Sequence, residues 1–150
     1  MGLDTAADPI SGVDLLRAFQ AQGPSGGVAQ LLGLSIEDVA SGRVRLALRT
    51  RPELANPHGA LHGGIVATLL DSAMACAVLS ALPPGRQYTT VDLSVTLLRG
   101  ASLDGARLTA EGEVVHVGRR IATAHGRVHD DADRLVATAT TTCQVLGGAP

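Results

Sequence analysis

Residues 61–85 read LHGGIVATLLDSAMACAVLSALPPG, and this stretch decides the fold. The run 61–82 is rich in Ala and Leu and contains no Pro; Gly63-Gly64 opens it and Pro83-Pro84-Gly85 closes it. These signals mark the start and the stop of a helix, so the run predicts one long helix. Apolar residues cover almost its whole circumference, which is typical of a helix buried on all sides. We therefore expect this helix to form the centre of the molecule.

Strand-like segments follow this helix. Residues 91–97 alternate apolar and polar side chains, the period of a strand with one buried face. Three further runs rich in β-branched residues predict strands at 107–117, 120–129 and 135–145. The connecting turns are predicted at 100–105, 118–119 and 130–133.

The segment before the long helix is less regular. Residues 43–49 alternate, with Val44, Leu46 and Leu48 on one face and an Arg stripe on the other, which predicts a half-buried strand with a solvated side. Residues 31–39 are interpreted as a preceding strand or turn. Residues 1–27 are a lead-in, and a short amphipathic helix at 13–21 is expected to pack at the periphery. The predicted domain, 28–147, is α+β: one long helix against an antiparallel sheet of five to six strands.

Composition narrows the function classes. The formal net charge is −2, no block of like charge is present, and the chain has one Tyr, one Phe and no Trp. Neither a nucleic-acid partner nor a membrane surface is expected. The isolated Cys76 and Cys143 fit core thiols in a reducing compartment, so a cytoplasmic location is predicted. The N-terminus lacks the pattern of a signal peptide, and the longest uncharged run, 54–70, contains Pro, His and Gly and is not expected to span a bilayer.

Asp71 is the only residue with a formal charge between Leu54 and Gly85. It lies about two turns inside the predicted helix. Burying an isolated carboxylate is costly unless hydrogen bonds or chemistry compensate. Asp71 is therefore the candidate catalytic carboxylate. The structural alternatives are that Asp71 caps a loop or forms an ion pair with an Arg from elsewhere, such as Arg99.

The start of the helix is a second candidate feature. Free N–H groups and the positive end of the dipole at His62-Gly63-Gly64 would stabilise charge developing on a carbonyl oxygen, although a Gly pair also suits a tight turn. Asn56 is expected to cap the turn it begins; presenting its amide to a ligand is the alternative. No His spacing fits a metal site, so no metal is expected. No Gly-x-Ser-x-Gly elbow is present, and Cys76 is interpreted as a packing residue.

Taken together, Asn56-Pro57-His58-Gly59-Ala60-Leu61-His62-Gly63-Gly64 and Asp71 resemble the hotdog-fold thioesterases of the PaaI-like group. The match continues, in the same order, through segments 89–95, 98–100, 117–120 and 135–140, and it covers about residues 31–145. The resemblance implies a long central helix wrapped by a curved antiparallel sheet. It also implies homodimers that assemble to homotetramers, with the active site at the dimer interface.

The resemblance also implies roles for individual residues. Asp71 would act as general base on water, or as nucleophile through an acyl anhydride, opposite the Gly63 turn of the partner subunit. The Gly63 N–H would polarise the thioester carbonyl, and His62 would orient this turn. Asn56 would lie near the carbonyl and the water, which Thr90 would help to position. Asp at this position, followed by Ala75, favours the Asp-bearing PaaI-like branch over the Glu-bearing aryl-CoA branch.

The expected activity is hydrolysis of an acyl- or aryl-acyl-CoA thioester. No cofactor is expected, because coenzyme A is part of the substrate. Four residues in predicted turns are candidates for binding the phosphates of coenzyme A: Arg99, Gly118, Arg119 and Arg120. Each Arg could equally be a plain surface residue. Two alternatives stay open. One is a hotdog-fold hydratase or dehydratase acting on acyl thioesters, and the other is a non-catalytic acyl-CoA binding protein.

Overall fold

The structure is a computed structural model that describes residues 8–147. Three helices and six strands follow one another along this part of the chain. The helices are α1 (Gly12–Gln22), α2 (Gly27–Leu32) and α3 (Gly63–Ala81), and a single 3-10 turn covers Pro52–Leu54. The strands are β1 (Ser35–Ala40), β2 (Arg43–Arg49), β3 (Gln87–Leu97), β4 (Arg107–Val117), β5 (Ile121–His129) and β6 (Leu135–Leu146).

The six strands form one sheet in the order β1-β2-β4-β5-β6-β3, and every neighbouring pair is antiparallel. Helix α3 contacts all six strands, so the sheet curves around it. The predicted α+β hotdog architecture, with a long central helix wrapped by a curved antiparallel sheet, is confirmed.

Small residues bring the helix and the sheet together. A Cβ added at Gly112 in β4 would overlap the backbone of Ala73 in α3, and one at Gly126 in β5 would press on Met74. The Leu69, Leu70 and Met74 side chains are fully buried as a result. By length and hydropathy alone α3 could cross a membrane, but half of that stretch is buried inside the protein, where α3 is the helix around which the sheet curves.

The N-terminal helix α1 confirms the short helix predicted at 13–21. Ser11 caps it by accepting a hydrogen bond from the Asp14 N–H, and Leu16 is its buried anchor. Gly12 lets α1 approach the backbone of α3 closely at Leu79. The first seven residues of the lead-in lie outside the described residues, and the boundary between lead-in and domain stays a prediction.

Two local features differ from the prediction. The strand predicted at 31–39 is confirmed as β1 over residues 35–39, but its predicted start is wrong, because the unpredicted helix α2 runs to Leu32 and Gly33 ends it with a left-handed φ of 69°. In β3, the register shifts between Thr90 and Asp92, so Val91 is the extra residue of a β-bulge. The predicted alternation over residues 91–97 is therefore interrupted at Val91, which has no partner in β6 and is 55% exposed.

Candidate active site

Asp71 lies in the middle of α3 and is half-buried. Its Oδ1 accepts a hydrogen bond of 3.0 Å from the Thr90 hydroxyl of β3. Within residues 8–147 Asp71 forms no salt bridge, and Arg99 is exposed in the loop after β3, so the alternative ion pair is not observed. A half-buried carboxylate with one oxygen held by a hydroxyl is suited to accept a proton from water with the other.

The β-bulge determines which way Thr90 points. Thr90 pairs with Cys143 of β6, and Cys143 is fully buried on the inner face of the sheet. Without the extra residue Val91, the alternation that turns Leu93, Val95 and Leu97 inward would turn Thr90 outward. The bulge therefore directs the Thr90 hydroxyl towards the helix and Asp71.

Three groups that the sequence did not single out for the site surround Asp71. Burial raises the pKa of the Cys76 thiol to about 11, and the negative charge of Asp71 adds to this effect. Burial also raises the pKa values of Tyr88 and Cys143, again with a contribution from Asp71. All three groups are therefore protonated at neutral pH. A protonated thiol is a poor nucleophile, which agrees with the interpretation of Cys76 as a packing residue.

The N-terminus of α3 carries the second half of the candidate site. His62 is the N-cap, and its Nδ1 accepts a hydrogen bond of 2.9 Å from the Gly64 N–H. No hydrogen bond from the Gly63 N–H is present among residues 8–147. This N–H therefore remains available to a ligand at the positive end of the helix dipole.

Asn56 organises the turn that leads into the helix. Its Oδ1 accepts hydrogen bonds from the backbone N–H groups of His58 and Ala60, at 2.9 and 3.0 Å. The backbone N–H of Asn56 donates a hydrogen bond to the Ala60 carbonyl at 2.7 Å. The predicted capping role is what the structure shows for the side-chain oxygen. No described residue accepts a hydrogen bond from the Asn56 amide NH₂, which leaves that group able to serve the alternative role as well.

The structure brings the predicted residues together in two groups. Asp71 and Thr90 form one, and Asn56, His62 and Gly63 form the other. Gly63 and Asp71 are eight residues apart on the same helix. At 1.5 Å per residue they are separated by about 12 Å along its axis. One chain therefore holds both halves of the predicted site but does not place them face to face.

The candidate coenzyme A residues also divide into two groups. Arg119 and Arg120 lie in the turn between β4 and β5, where the Arg120 carbonyl accepts a hydrogen bond from the Val145 N–H. The Arg99 N–H donates to the carbonyl of Val136, at the other end of β6. Their two partners on β6, Val145 and Val136, are nine residues apart, or about 30 Å along the strand. Within one chain Arg99 cannot act on the same phosphate as Arg119 and Arg120.

No group of three or more His, Cys, Asp or Glu side chains among the described residues could hold a metal ion. Gly118, the remaining candidate, precedes Arg119 in the turn, and its N–H donates to the Ile121 carbonyl at 2.7 Å. A Cβ there would press on His116 and Ile121, so Gly118 is required by the shape of the turn itself.

Comparison with known proteins identifies relatives across most of the chain. The sequence model of the thioesterase superfamily matches residues 58–137. A Halobacterium salinarum protein, provisionally named an esterase, is 40% identical over 112 residues, which are 71% of this chain and 72% of that protein. An Escherichia coli protein named a medium/long-chain acyl-CoA thioesterase is 26% identical over 129 residues, 76% of this chain and 82% of that protein.

Solved structures share the whole architecture. A thioesterase family protein from Silicibacter pomeroyi has a TM-score of 0.77 and 31% identity, over 92% of this chain and all of that chain. Escherichia coli PaaI has a TM-score of 0.80 over 92% of this chain and 96% of that chain; at 22% identity it supports the fold alone. A hypothetical thioesterase of Streptococcus pneumoniae, solved with coenzyme A, has a TM-score of 0.70 and 29% identity, over 78% of this chain and 88% of that chain.

Proposed function

Because this chain belongs to the thioesterase superfamily and is a thioester hydrolase, we propose that it hydrolyses acyl-CoA thioesters to the free acid and coenzyme A. The observation that carries this proposal is that Thr90 of β3 holds the carboxylate of Asp71, which lies in the central helix. The names of two relatives support the substrate class. One is an acyl-CoA thioesterase, and the other was solved with coenzyme A.

The proposed chemistry uses the two groups in different roles. Asp71 takes a proton from water as the water oxygen attacks the thioester carbonyl carbon, or its own oxygen attacks to give an acyl anhydride that water then opens. In both cases the C–S bond breaks and coenzyme A leaves as the thiol. The negative charge that develops on the carbonyl oxygen needs a donor, and the Gly63 N–H is suited to this role. His62 and Asn56 hold the backbone around Gly63 in place.

We further propose that two subunits complete each active site. Since about 12 Å separates Gly63 from Asp71 along one helix, one carbonyl group cannot meet both groups of the same chain. In a two-fold homodimer, Asp71 would face Gly63 of the partner subunit, and each dimer would contain two equivalent sites. Pairing of such dimers into a homotetramer is part of the same proposal.

The coenzyme A arginines fit this arrangement. Arg119 and Arg120 lie at the end of the sheet where β3 begins, towards Thr90, whereas Arg99 lies near the Gly63 end. A site assembled from two subunits could therefore draw on both groups, although one chain could not. Their guanidinium groups would pair with phosphate oxygens.

The decisive experiment measures thiol release from a panel of acyl-CoAs by the wild type and by Asp71→Asn. The carboxylate is the only group proposed to activate water, so kcat should fall by about 100-fold or more. Glu53→Gln, which changes an exposed acid elsewhere, is the matched control and should match the wild type. Equal rates for Asp71→Asn and the wild type would contradict the proposal. Hydration of an enoyl-CoA without thiol release would indicate a hydratase, and binding without turnover would indicate an acyl-CoA binding protein.

A further inference from the structure

A cavity of about 460 Å³ lies between α1, α2, β1 and the exposed side of α3. The surface of its walls is mainly apolar, and none of the described residues that line it carries a charge. The only Phe and the only Tyr of the chain, Phe19 and Tyr88, both line it. Segment 23–26, which joins α1 to α2, also forms part of the wall.

The cavity lies next to Asp71 and Thr90 of the candidate active site. Ser72, the neighbour of Asp71 in α3, lines it, and so does Cys76 one turn further along the helix. Tyr88 precedes Thr90 by two residues and shares its inner face of the sheet. The charge of Asp71 contributes to the raised pKa values of Cys76 and Tyr88, as expected for close neighbours. A substrate carbonyl at Asp71 would therefore lie at the entrance of an apolar chamber.

The proposed function depends on Asp71 and does not identify the acyl group. Resting on that function, we infer that this cavity holds the acyl group of the substrate. This group is an uncharged aliphatic chain of medium length, and α1 and α2 limit that length. Ionised acyl groups would lose hydration here without gaining a charged partner. The nucleotide part of coenzyme A is excluded for the same reason.

The size of the cavity indicates the length of the chain. Its volume falls within the range of small-molecule sites. It corresponds to roughly 15 water volumes, which exceeds the need of a single aromatic ring. When each methylene takes about the volume of one water, the cavity holds at most roughly 15 carbons, so a medium-length chain of roughly eight to twelve carbons fits inside it.

The lead-in helices form the wall that limits this length. The Gln20 side chain donates a hydrogen bond of 2.8 Å to the Glu37 carbonyl and so ties α1 to β1. Phe19 lines the cavity while 47% exposed, which places it at the rim. Ala29 of α2 lines the cavity, whereas Val28 beside it is 53% exposed and does not. A larger side chain at Ala29 would shorten the cavity, and the same enlargement at Val28 would not.

The test compares kcat/KM for saturated acyl-CoAs of 4 to 16 carbons, and for phenylacetyl-CoA, among the wild type, Ala29→Leu and Val28→Leu. The wild type should prefer chains of roughly eight to twelve carbons. Ala29→Leu should lose about 10-fold or more on the longest good substrates, keep its rate on butyryl-CoA and shift the preference to shorter chains. Val28→Leu should follow the wild type. Phe19→Ala, which opens the rim, should extend the range to longer chains.

Binding of decanoyl-CoA to Asp71→Asn, with and without Ala29→Leu, separates failure of this inference from failure of the proposed function. Weaker binding caused by Ala29→Leu supports the inference even if no acyl-CoA is hydrolysed. The inference would be overturned, while hydrolysis stands, if Ala29→Leu changed neither the chain-length profile nor the affinity for decanoyl-CoA. The circular dichroism spectrum of this variant must match that of the wild type. Preference for phenylacetyl-CoA over every aliphatic chain would overturn it as well.

Discussion

Thr90 shows how one hydroxyl depends on a local irregularity of a strand. Its hydrogen bond to Asp71 exists because the bulge at Val91 turns residue 90 inward. The bond fixes one carboxylate oxygen and leaves the second oxygen for the base or nucleophilic chemistry that the proposed mechanism requires. Thr90 is thus a positioning residue in the proposed mechanism, since it acts through Asp71.

Thr90→Val should lower kcat by roughly 10-fold, because a hydrogen bond to a charged group contributes about 1.5–3 kcal/mol and the site is partly open to solvent. KM should change little, because the hydroxyl acts on the carboxylate. Thr90→Ser keeps the donor and should recover most of kcat. The measurement is kcat and KM for one good acyl-CoA substrate. Thr89→Val, which changes a Thr on the exposed face of the same strand, is the control. A Thr90→Ser variant as slow as Thr90→Val would show that the hydroxyl is not what matters.

At the scale of elements, the contact between α3 and β4 depends on the missing side chain of Gly112. A Cβ at this position would overlap the backbone of Ala73, which cannot move without displacing the helix. Moving α3 would also shift Asp71 relative to Thr90, because Asp71 belongs to α3 and Thr90 to the sheet against which α3 packs. Packing of the core and geometry of the site are therefore coupled here.

Gly112→Ala should lower the free energy of unfolding by about 1–3 kcal/mol, the usual cost of overpacking a core. Urea unfolding followed by circular dichroism measures this loss directly. Gly100→Ala is the matched control, since a Cβ at Gly100 meets no other atom within 4 Å and should change stability by less than about 0.5 kcal/mol. Equal stability of the two variants would show that the helix and the sheet tolerate a wider spacing.

The sequence predicts the elements that carry strong local signals. The Gly pair and the Pro pair bracket α3, and the charge of Asp71 is visible because its surroundings are apolar. Helix α2 escapes prediction because six residues are too few to establish a helical period. The bulge at Val91 escapes as well, since its cause is the pairing of β3 with β6 rather than the composition of β3.

The same limit applies to the site. Thr90 could be named only through the resemblance, because nothing in its own segment distinguishes it from Thr89. Tyr88 and Cys143 join the site through the register of β3 against β6, which a single sequence does not reveal. The one usable signal was the alternation that puts Tyr88 two residues before Thr90 on the same face of the strand.

For the whole molecule, the question is which surface a second subunit would cover. The outer face of the sheet is lined largely by polar and charged side chains, including Arg45, Glu111 and His125, so apolar burial gives little reason to cover it. The exposed apolar side chains of β3 are instead on an edge strand: Val91, Leu93 and Leu97. An edge strand also presents unpaired backbone groups. This edge and the neighbouring start of α3 are therefore the surface best suited to a partner, and they carry Thr90 and Gly63.

A hybrid dimer tests whether the site is shared. Gly63→Pro removes the N–H at the first position of α3, where Pro fits a helix and where His62 already has the extended backbone that precedes Pro. Gly63→Ala adds a Cβ against Leu97 but keeps the N–H, so it separates packing from loss of the donor. Asp71→Asn and Gly63→Pro should each be nearly inactive as homodimers.

Co-expressed with different tags and purified through both, the Asp71→Asn and Gly63→Pro subunits should regain about half of the wild-type activity, because one of the two sites in each hybrid keeps both groups. The matched control pairs Asp71→Asn with Thr90→Val, which affect the same half of the site. That hybrid should show no more than the average activity of its parent homodimers. If the first hybrid also gave only the average of its parents, Asp71 and Gly63 would have to act within one chain, and a shared site would be wrong.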